Sequence, residues 1–159
     1  MNVVVKSTKH IIYNYVICIF ISIALIVGLK HYGLKAIDGI RAFTSGESIY
    51  MKAQQEASRQ LTNYVFTANP EYYANFLTQL QVPINDSLAR VSLDSNLHHS
   101  ISKKHLLLGK NIPEDIDNII WVYRNFKSLS QFKKAISIWK AADQLIISLE
   151  NQGKAIDKQ

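Results

Sequence analysis

Residues 36–68 read AIDGIRAFTSGESIYMKAQQEASRQLTNYVFTA, and one residue in every three or four falls on a single stripe of a helix. The members of this stripe are Ala36, Ile40, Phe43, Glu47, Tyr50, Gln54, Ala57, Leu61, Tyr64 and Ala68. Such spacing is typical of a helix that packs one side against neighbouring helices. We therefore predict an unbroken helix from Tyr32 to Ala68, roughly 55 Å long, with Glu47 on its buried side.

An uncharged apolar run, IIYNYVICIFISIALIVGL, occupies residues 11–29 on the N-terminal side of this helix. Its nineteen residues, at ~1.5 Å each, match the ~30 Å hydrocarbon core of a bilayer. Lys9 and Lys30 flank the run, as basic residues do at membrane interfaces. A cleaved secretory peptide is the alternative, but no A-x-A-like cleavage site follows. The run predicts an uncleaved membrane helix that continues into residues 30–68 without a flexible linker.

The composition limits the classes of function. The chain has 159 residues, 48% of them apolar, which is enough for one folded core. Lys and Arg outnumber Asp and Glu by 18 to 12, but part of this surplus flanks the apolar run, and no nucleic-acid motif is present. The single cysteine, Cys18, lies in the apolar run, so the rest of the chain can form no internal disulfide and no cysteine metal site. We expect no nucleic-acid partner.

Strand patterns are nearly absent after the apolar run, and helical spacing recurs instead. Asn69-Pro70-Glu71 predicts a helix start, because Asn is a good cap, Pro fits the first position and Glu suits the positive helix end. We expect Pro83 to end this helix and Asn85-Asp86-Ser87 to cap a short helix around Leu88 and Val91. The first of these helices is expected to bury Tyr73, Phe76, Leu77 and Leu80.

Three further helices are predicted along the rest of the chain. The first would end at Gly109, with an apolar side formed by Leu97, Ile101, His105 and Leu108. Pro113-Glu114-Asp115 predicts the start of the second, whose buried face would be Ile116, Ile119, Ile120, Tyr123 and Phe126. Residues 128–131 have the pattern of a capping box for the last helix, which would run to about Gly153 and bury Phe132, Ile136, Trp139, Ile146 and Leu149. The prediction is an all-α fold, in which the transmembrane helix continues into a long helix of an antiparallel helical bundle.

Three spaced blocks read IRAFTSGESIYMKAQQEA, NYVFTANPEYYANFLTQLQVPIND and GKNIPEDIDNIIWVYRNFKSLSQFKKAISIWKAADQLI. Through them the chain resembles the N-terminal sensory region of bacterial membrane-bound signalling proteins, the type that precedes diguanylate cyclase (GGDEF) or histidine kinase output domains. The family motifs read approximately V-R-A-[YF]-x-x-G-E, F-L-x-G-x-N-H-P-D-D-I and F-x-x-A-[IL]-x-[IL]-W-x-x-x-D. The residues at the matching positions are Arg41, Gly46, Glu47, Asn111, Pro113, Asp115, Trp139 and Asp143.

The chain departs from the family pattern in two ways. Ile112 stands where the family tends to have His, and Glu114 replaces the first Asp, so a metal or proton role of that His does not carry over. Members of the family also continue into a second membrane span and an output domain. We therefore expect a sensor region that is truncated before both, acting as a fragment or by pairing with an intact partner.

The resemblance implies a sensor anchored by a single pass in the bacterial inner membrane. Residues 1–10 would lie in the cytoplasm, 11–29 in the membrane, 30–152 outside the cytoplasm as a helical sensor bundle, and 153–159 in a tail. Charge alone does not decide this orientation, because basic residues flank both ends of the span. The bulk of the chain would be periplasmic.

The function implied is signal transduction, in a two-component or cyclic-di-GMP pathway, by relaying ligand binding or packing changes through the membrane helix. The expected partners are the lipid bilayer, a second copy or a full-length sensor, and a small-molecule ligand. The alternative is a membrane-tethered helical interaction or dimerisation module, or a gene remnant, that has no ligand. In either case the chain would carry no enzymatic activity of its own.

Gly46 and Glu47 are unexpected inside a helix, since Gly costs about 1 kcal/mol relative to Ala and a buried carboxylate needs a partner. One interpretation is that a ligand approaches the small residues while Glu47 pairs with Arg124 or with a bound amine. The other is that Glu47 forms a structural salt bridge and Gly46 permits close packing. Both interpretations stay open at the level of sequence.

Trp139 and Asp143 lie one turn apart on the last predicted helix, where an aromatic ring beside a carboxylate could receive a cationic ligand. Core packing of Trp139 is the alternative. Arg41 could contact lipid headgroups or an acidic neighbour instead of a ligand. The candidate ligand-binding residues are therefore Arg41, Glu47, Arg124, Trp139 and Asp143.

Metal binding and catalysis have little support in the sequence. His98 and His105 share a helix face, but two turns of helix separate them by about 10.5 Å, too far for ligands of one ion. The chain contains no nucleophile elbow, no phosphate-binding Gly loop and no H-E-x-x-H motif. We expect no metal, no cofactor and no catalytic residue.

Overall fold

The computed structural model describes the backbone of residues 2–95 and 97–158, and the side chains of these residues from Ile12 onward. The described residues form five helices and no strand. The helices are α1 (Asn2–Thr67), α2 (Pro70–Asp94), α3 (His99–Leu108), α4 (Ile116–Phe126) and α5 (Ser130–Ile156). The prediction of an all-α chain that begins with a long apolar helix is confirmed.

The chain divides into two compact units, Met1–Ile37 and Asp38–Gln159, and the boundary between them falls within α1. In the first unit the large apolar side chains between Ile12 and Leu29 are exposed. The N-terminal part of α1 is long and apolar enough to cross a membrane, by length and composition.

The second unit has a core built from two apolar clusters. The first joins α1 to α2, α3 and α4 through Ala42, Ala89, Leu93, Leu106, Ile116, Ile119, Ile120 and Tyr123. The second joins α1 to α2 and α5 through Tyr50, Ala57, Leu61, Phe76, Leu80 and Ile146. Trp139 packs against both clusters, so one side chain of α5 spans the two parts of the core.

The buried face of α1 differs from the predicted stripe at two positions. Phe43, Tyr50, Ala57 and Tyr64 face inward, as predicted, but Ile40 and Glu47 are exposed. The inward positions between them are occupied by smaller neighbours, Gly39, Gly46 and Ala53. A Cβ atom at Gly39 would overlap the side chain of Val122, and one at Gly46 would lie 2.5 Å from Asn111 Oδ1. The small residues thus let α1 approach the rest of the unit closely, and the prediction that Glu47 is buried is wrong.

Helix α2 corrects a second prediction, because it continues through Pro83 to Asp94. Its start is as predicted, with Asn69 Oδ1 accepting a hydrogen bond from the Glu71 amide at 2.9 Å. Residues on both sides of Pro83 are buried, so packing outweighs the helical hydrogen bond that proline removes. Asn85 and Ser87 do not cap a new helix. Asn85 Nδ2 donates a hydrogen bond back to the carbonyl of Gln81, and the Ser87 hydroxyl lies 2.9 Å from the carbonyl of Pro83.

Helix α3 ends at Gly109, as predicted, but its buried side differs from the expected one. Leu97, Ile101 and Leu108 are exposed, whereas Ser102 and Leu106 are buried. Ser102 shares a hydrogen bond with Ser92 of α2 at 2.7 Å, which places this side of α3 against α2. The apolar spacing predicted the helix correctly and its buried face wrongly.

Helix α4 begins at Ile116, just after the predicted start at residues 113–115. Asp115 takes the N-cap position, but its side chain accepts hydrogen bonds from Arg41 and caps no amide of the helix. The predicted buried face of α4 is confirmed for Ile116, Ile119, Ile120 and Tyr123. The predicted capping box at residues 128–131 is wrong. Leu129 takes the cap position, and the Ser130 hydroxyl donates to the neighbouring Gln131.

Helix α5 extends to Ile156, beyond the predicted end at Gly153. Gly153 does not terminate the helix but lies buried against the ring of Phe76, which a Cβ atom would overlap. Tyr64 Oη donates a hydrogen bond to Asp157 at 3.1 Å. The segment predicted as a tail therefore contacts α1.

Candidate functional site: a buried polar network

The core of the second unit contains a network of charged and polar side chains, most of which α2 supplies. Helical spacing places these α2 residues on adjoining faces that point towards α3, α4 and α5. They are Asn85, Asp86, Ser87, Arg90 and Ser92, which are buried or half-buried, and Asp94, which is exposed at the edge of the network. Buried polar groups in this number are costly unless they are hydrogen-bonded, so their partners define what the network does.

The centre of the network is an ion pair between Arg90 of α2 and Asp143 of α5. Arg90 Nε and Nη2 both donate to Asp143 Oδ2, the former at 3.2 Å. The other carboxylate oxygen of Asp143 accepts a hydrogen bond from the Ser87 hydroxyl. Only 6% of the Arg90 side chain and 11% of the Asp143 side chain are exposed, so the pair is held out of water and joins α2 firmly to α5.

The network extends from Arg90 to α4. Arg90 Nη1 donates to Asp94 Oδ2 at 3.0 Å, and Tyr123 Oη donates to Asp94 Oδ1 at 2.7 Å. Burial raises the pKa of Tyr123, and its hydrogen bond to Asp94 raises it further. Tyr123 therefore stays protonated and serves as a donor, so that a continuous chain of polar contacts joins α4, α2 and α5.

Asp86 forms a separate branch towards the turn between α3 and α4. Asn111 Nδ2 donates to Asp86 Oδ1 at 2.7 Å and also to the Leu106 carbonyl at 3.1 Å. Gly109 lies so close to the carboxyl group that a Cβ atom there would overlap it. Burial raises the pKa of Asp86 to about 8, although the hydrogen bond from Asn111 acts in the opposite direction. Burial therefore favours the protonated form of Asp86 at neutral pH.

Helix α1 meets the network at Tyr50. The hydroxyl of Tyr50 is buried and has no hydrogen-bond partner among the described residues. Burial raises the pKa of Tyr50, and the nearby carboxyl groups of Asp143 and Asp86 raise it further. Trp139 Nε1 of α5 is also buried, and the described part of the chain offers it no acceptor. Two polar donors are thus left unused in the core.

Two of the predicted site residues, Trp139 and Asp143, belong to this region. Asp143 is the carboxylate at the centre of the network. The ring of Trp139 packs against Phe43 and Tyr123, with centroid separations of 5.7 and 6.4 Å. Trp139 therefore contributes to the core, which was the alternative interpretation, while a role of either residue in ligand binding stays a prediction.

Arg41 lies outside the network and pairs with Asp115. Arg41 Nη2 donates to Asp115 Oδ1 at 2.6 Å, and Nη1 donates to Oδ2 at 3.3 Å. The Arg41 side chain is 60% exposed and that of Asp115 only 7%. This bidentate pair ties α1 to the residue that precedes α4, so the acidic neighbour expected for Arg41 is Asp115.

The structure does not bring Glu47 and Arg124 together. Glu47 lies on the solvent side of α1, beside Thr44 and Met51, because Gly46 takes the inward position. Arg124 lies on the exposed side of α4, where its Nη2 donates to the Leu97 carbonyl at 3.1 Å. The interpretation that these two side chains form an ion pair is wrong.

The histidines singled out in the sequence have protein partners of their own. His98 accepts a hydrogen bond from the Ser100 amide at the start of α3, and His105 Nδ1 lies 3.1 Å from Asn85 Oδ1. Among the residues whose positions are described, no three His, Cys, Asp or Glu side chains are arranged to hold a metal ion.

Sequence reasoning missed Asp86 and Arg90, the residues on which the network depends. Their spacing carried a signal, since residues 86, 90 and 94 are charged and recur every four positions along one helix face. The prediction that Pro83 ends the helix hid this signal. It placed Asp86 in a helix cap and Arg90 on a separate short helix, so the two residues were not recognised as parts of one helix face.

Comparisons of the chain with protein-family models, with curated proteins and with solved structures found no match. The likeness to bacterial sensory regions therefore stays a resemblance.

Proposed function

We propose that this chain is the membrane-anchored sensory module of a bacterial signalling system, in which the helical unit receives a cue and α1 relays it to the membrane. The observation that supports the proposal is that one helix contains both an apolar segment fit to cross a membrane and the residues that pack the second unit. A change in how the second unit packs would therefore act directly on the helix that enters the bilayer.

The buried network is the element that we propose to have two packings. Ion pairs and hydrogen bonds join α2 to α4 and α5, whereas α1 reaches this region with a hydroxyl group, Tyr50 Oη, that has no partner among the described residues. Apart from the Arg41–Asp115 pair and the Tyr64–Asp157 hydrogen bond, α1 contacts the rest of the unit mainly through glycine, alanine and apolar side chains, which allow small shifts of the helix. Relay requires such a bistable element, because a uniformly rigid core transmits no signal.

We also infer that the part of α1 from residue 30 onward forms an antiparallel bundle with α2 to α5 outside the cytoplasm, with residues 11–29 in the inner membrane and residues 1–10 inside the cell. In a Cys18→Ser background, a cysteine placed at the exposed Ser137 should react in intact cells with a membrane-impermeant maleimide. Reaction only after lysis would reverse the orientation.

The relay can be tested by measuring the distance between α1 and α5 in the full chain, in lipid nanodiscs. Spin labels would replace the exposed Ser48 and Ser137 in a Cys18→Ser background. The double substitution Arg90→Met with Asp143→Leu replaces the ion pair by apolar groups, and Lys140→Gln on the exposed side of α5 is the control. We expect two distance populations whose weights change in the double variant and not in the control. A single narrow distance common to all three proteins would contradict the proposal.

One observation favours a second function, a membrane-tethered interaction module. The apolar side chains of Leu97, Ile101 and Leu108 are exposed on or beside α3, although their spacing is that of a helix face that packs against another helix. If this face docks a partner or a second copy, Ile101→Asp should abolish the association of the detergent-solubilised chain while leaving its helix content unchanged.

A further inference from the structure

A groove of about 590 Å³ lies on the surface of the second unit, between α1, α2 and the turn that follows α3. It is separate from the buried network, and its size falls within the range of small-molecule sites. Its apolar lining comes from the half-buried Ile49 and from the buried side chains of Ala53 and Val82 beneath it. Three basic side chains also line the groove. Lys52 and Arg59 lie about two turns apart on α1, and Lys110 lies in the turn after α3.

The charges in the groove are not balanced. Arg59 forms a bidentate pair with Glu56, whose second partner is the Gln60 amide, so this carboxylate is already occupied. Lys52 and Lys110 have no ion pair within the described part of the chain. Three cations and one carboxylate therefore leave a surplus of two positive charges beside an apolar surface.

The backbone at Lys110 is a second and independent observation. Lys110 has a φ of 59°, in the left-handed region that favours glycine. Its amide bonds to the Leu107 carbonyl, and the Asn111 amide to the Leu106 carbonyl, which is the helix-ending pattern that normally has glycine at this position. The neighbouring Gly109 has an ordinary φ of −72° and is required there because the Asp86 carboxyl group leaves no room for a Cβ atom. Nothing in this packing requires a lysine at position 110, and the strain that it carries points to a role for its side chain in the groove.

We propose that this groove binds a small soluble organic anion, a carboxylate with an apolar body, which Lys52 and Lys110 hold by its charge while its body lies against the apolar lining at Ile49 and Ala53. The chemistry follows from the surplus of two ammonium groups and the apolar lining. This inference does not depend on the sensory function, because binding in the groove can be measured directly. If the sensory function and the binding site are both correct, the anion is the cue that the module senses.

The test uses the full chain in nanodiscs of neutral lipid and fluorine NMR of para-trifluoromethylbenzoate, with empty nanodiscs as the background. The matched probes are para-trifluoromethylbenzyl alcohol and para-trifluoromethylbenzylamine, which have the same apolar body with no charge and with the opposite charge. We expect saturable broadening of the carboxylate signal only. Equal binding of the three probes would overturn the proposal.

The variants Lys52→Gln and Lys110→Gln, combined, should weaken carboxylate binding at least about tenfold, the factor expected for loss of one charge-assisted contact. Lys140→Gln removes the same charge from an exposed position on α5 and should leave binding unchanged. Lys110→Gly distinguishes an effect on binding from an effect on folding. It should raise the melting temperature, because glycine adopts a positive φ without strain, and it should still weaken carboxylate binding. Unchanged binding in Lys110→Gly and in the double variant would refute the site.

A bilayer lipid is the other source of an anion with an apolar body. Repeating the titration in nanodiscs that contain anionic phosphatidylglycerol separates the two sources. A soluble ligand predicts the same affinity in both lipids. Loss of probe binding in the anionic nanodiscs would assign the groove to lipid headgroups and overturn the assignment to a soluble anion.

Discussion

Arg90 lies at the centre of the buried network, and each of its three donor nitrogens is used. It holds Asp143 on one side and Asp94 on the other, and Asp94 in turn accepts a hydrogen bond from Tyr123. A buried ion pair of this kind adds little stability relative to apolar groups of the same size, but removing one partner leaves a charge without compensation. The effect of a substitution at this site therefore depends on whether it leaves a buried charge without a partner.

Arg90→Met should lower the free energy of unfolding by about 3–5 kcal/mol, because it leaves the Asp143 carboxylate buried and unpaired. The double substitution with Asp143→Leu should recover most of this loss. Chemical unfolding of the detergent-solubilised chain, followed by tryptophan fluorescence, measures both. If the double variant is as unstable as Arg90→Met, the cost comes from lost packing and not from the unpaired charge.

Asp86 makes the stability of the helical unit depend on pH. Its pKa is raised from the usual 3.8 to about 8 in the folded protein, so between these values the folded state retains a proton that the unfolded state has lost. The free energy of unfolding should therefore fall as pH rises through this window, by up to about 1.4 kcal/mol per pH unit, and should level off above pH 8.

Asp86→Asn is the matched variant, since the asparagine carbonyl still accepts the hydrogen bond from Asn111 and cannot ionise. The variant should lose most of the pH dependence and be more stable than the natural chain above pH 8, the region in which Asp86 carries a charge. Thermal unfolding at a series of pH values measures this difference. If the stability of both proteins changes with pH in the same way, the pH dependence comes from another titratable group.

At the scale of single helices, the closeness of α1 to its neighbours depends on two glycines, Gly39 and Gly46. Gly39→Ala should destabilise the unit by about 1–3 kcal/mol through overpacking, since the new methyl group meets Val122 and the nearby carbonyl of Asn118. The intrinsic preference of a helix for Ala acts in the other direction, by about 1 kcal/mol. Gly33→Ala is the control, because nothing lies within 4 Å of the place that its Cβ atom would take, and it should be neutral or stabilising. Equal melting temperatures for the two variants would contradict the close packing of α1.

The helices could be predicted from the sequence more reliably than the faces that they bury. The starts and stops at Asn69 and Gly109 follow from local chemistry, so the sequence predicted them correctly. Whether Gly46 or the adjacent Glu47 faces inward on α1 depends on how closely the neighbouring helices pack, and the sequence of α1 alone does not contain this information. Packing on both sides of Pro83 likewise outweighed its local preference, and this tertiary effect is what concealed the polar network.

At the scale of the whole molecule, the proposed relay depends on α1, which is the one helix that belongs to both compact units. Its first part is apolar and exposed, and its second part carries Arg41, Tyr50 and the small residues that contact the other helices. The central claim of the proposed function is that a change in the buried network alters the membrane segment. Cys18, the only cysteine of the chain, lies in that segment and is exposed, so a label can be attached to it without any other substitution.

The most direct test is therefore the electron paramagnetic resonance spectrum of a spin label on Cys18, recorded for the full chain in nanodiscs. The natural protein is compared with the Arg90→Met and Asp143→Leu double variant, with Lys140→Gln as the surface control. The proposed relay predicts that label mobility and oxygen accessibility at Cys18 change in the double variant and stay the same in the control. Identical spectra for all three proteins, with the double variant still folded, would contradict it.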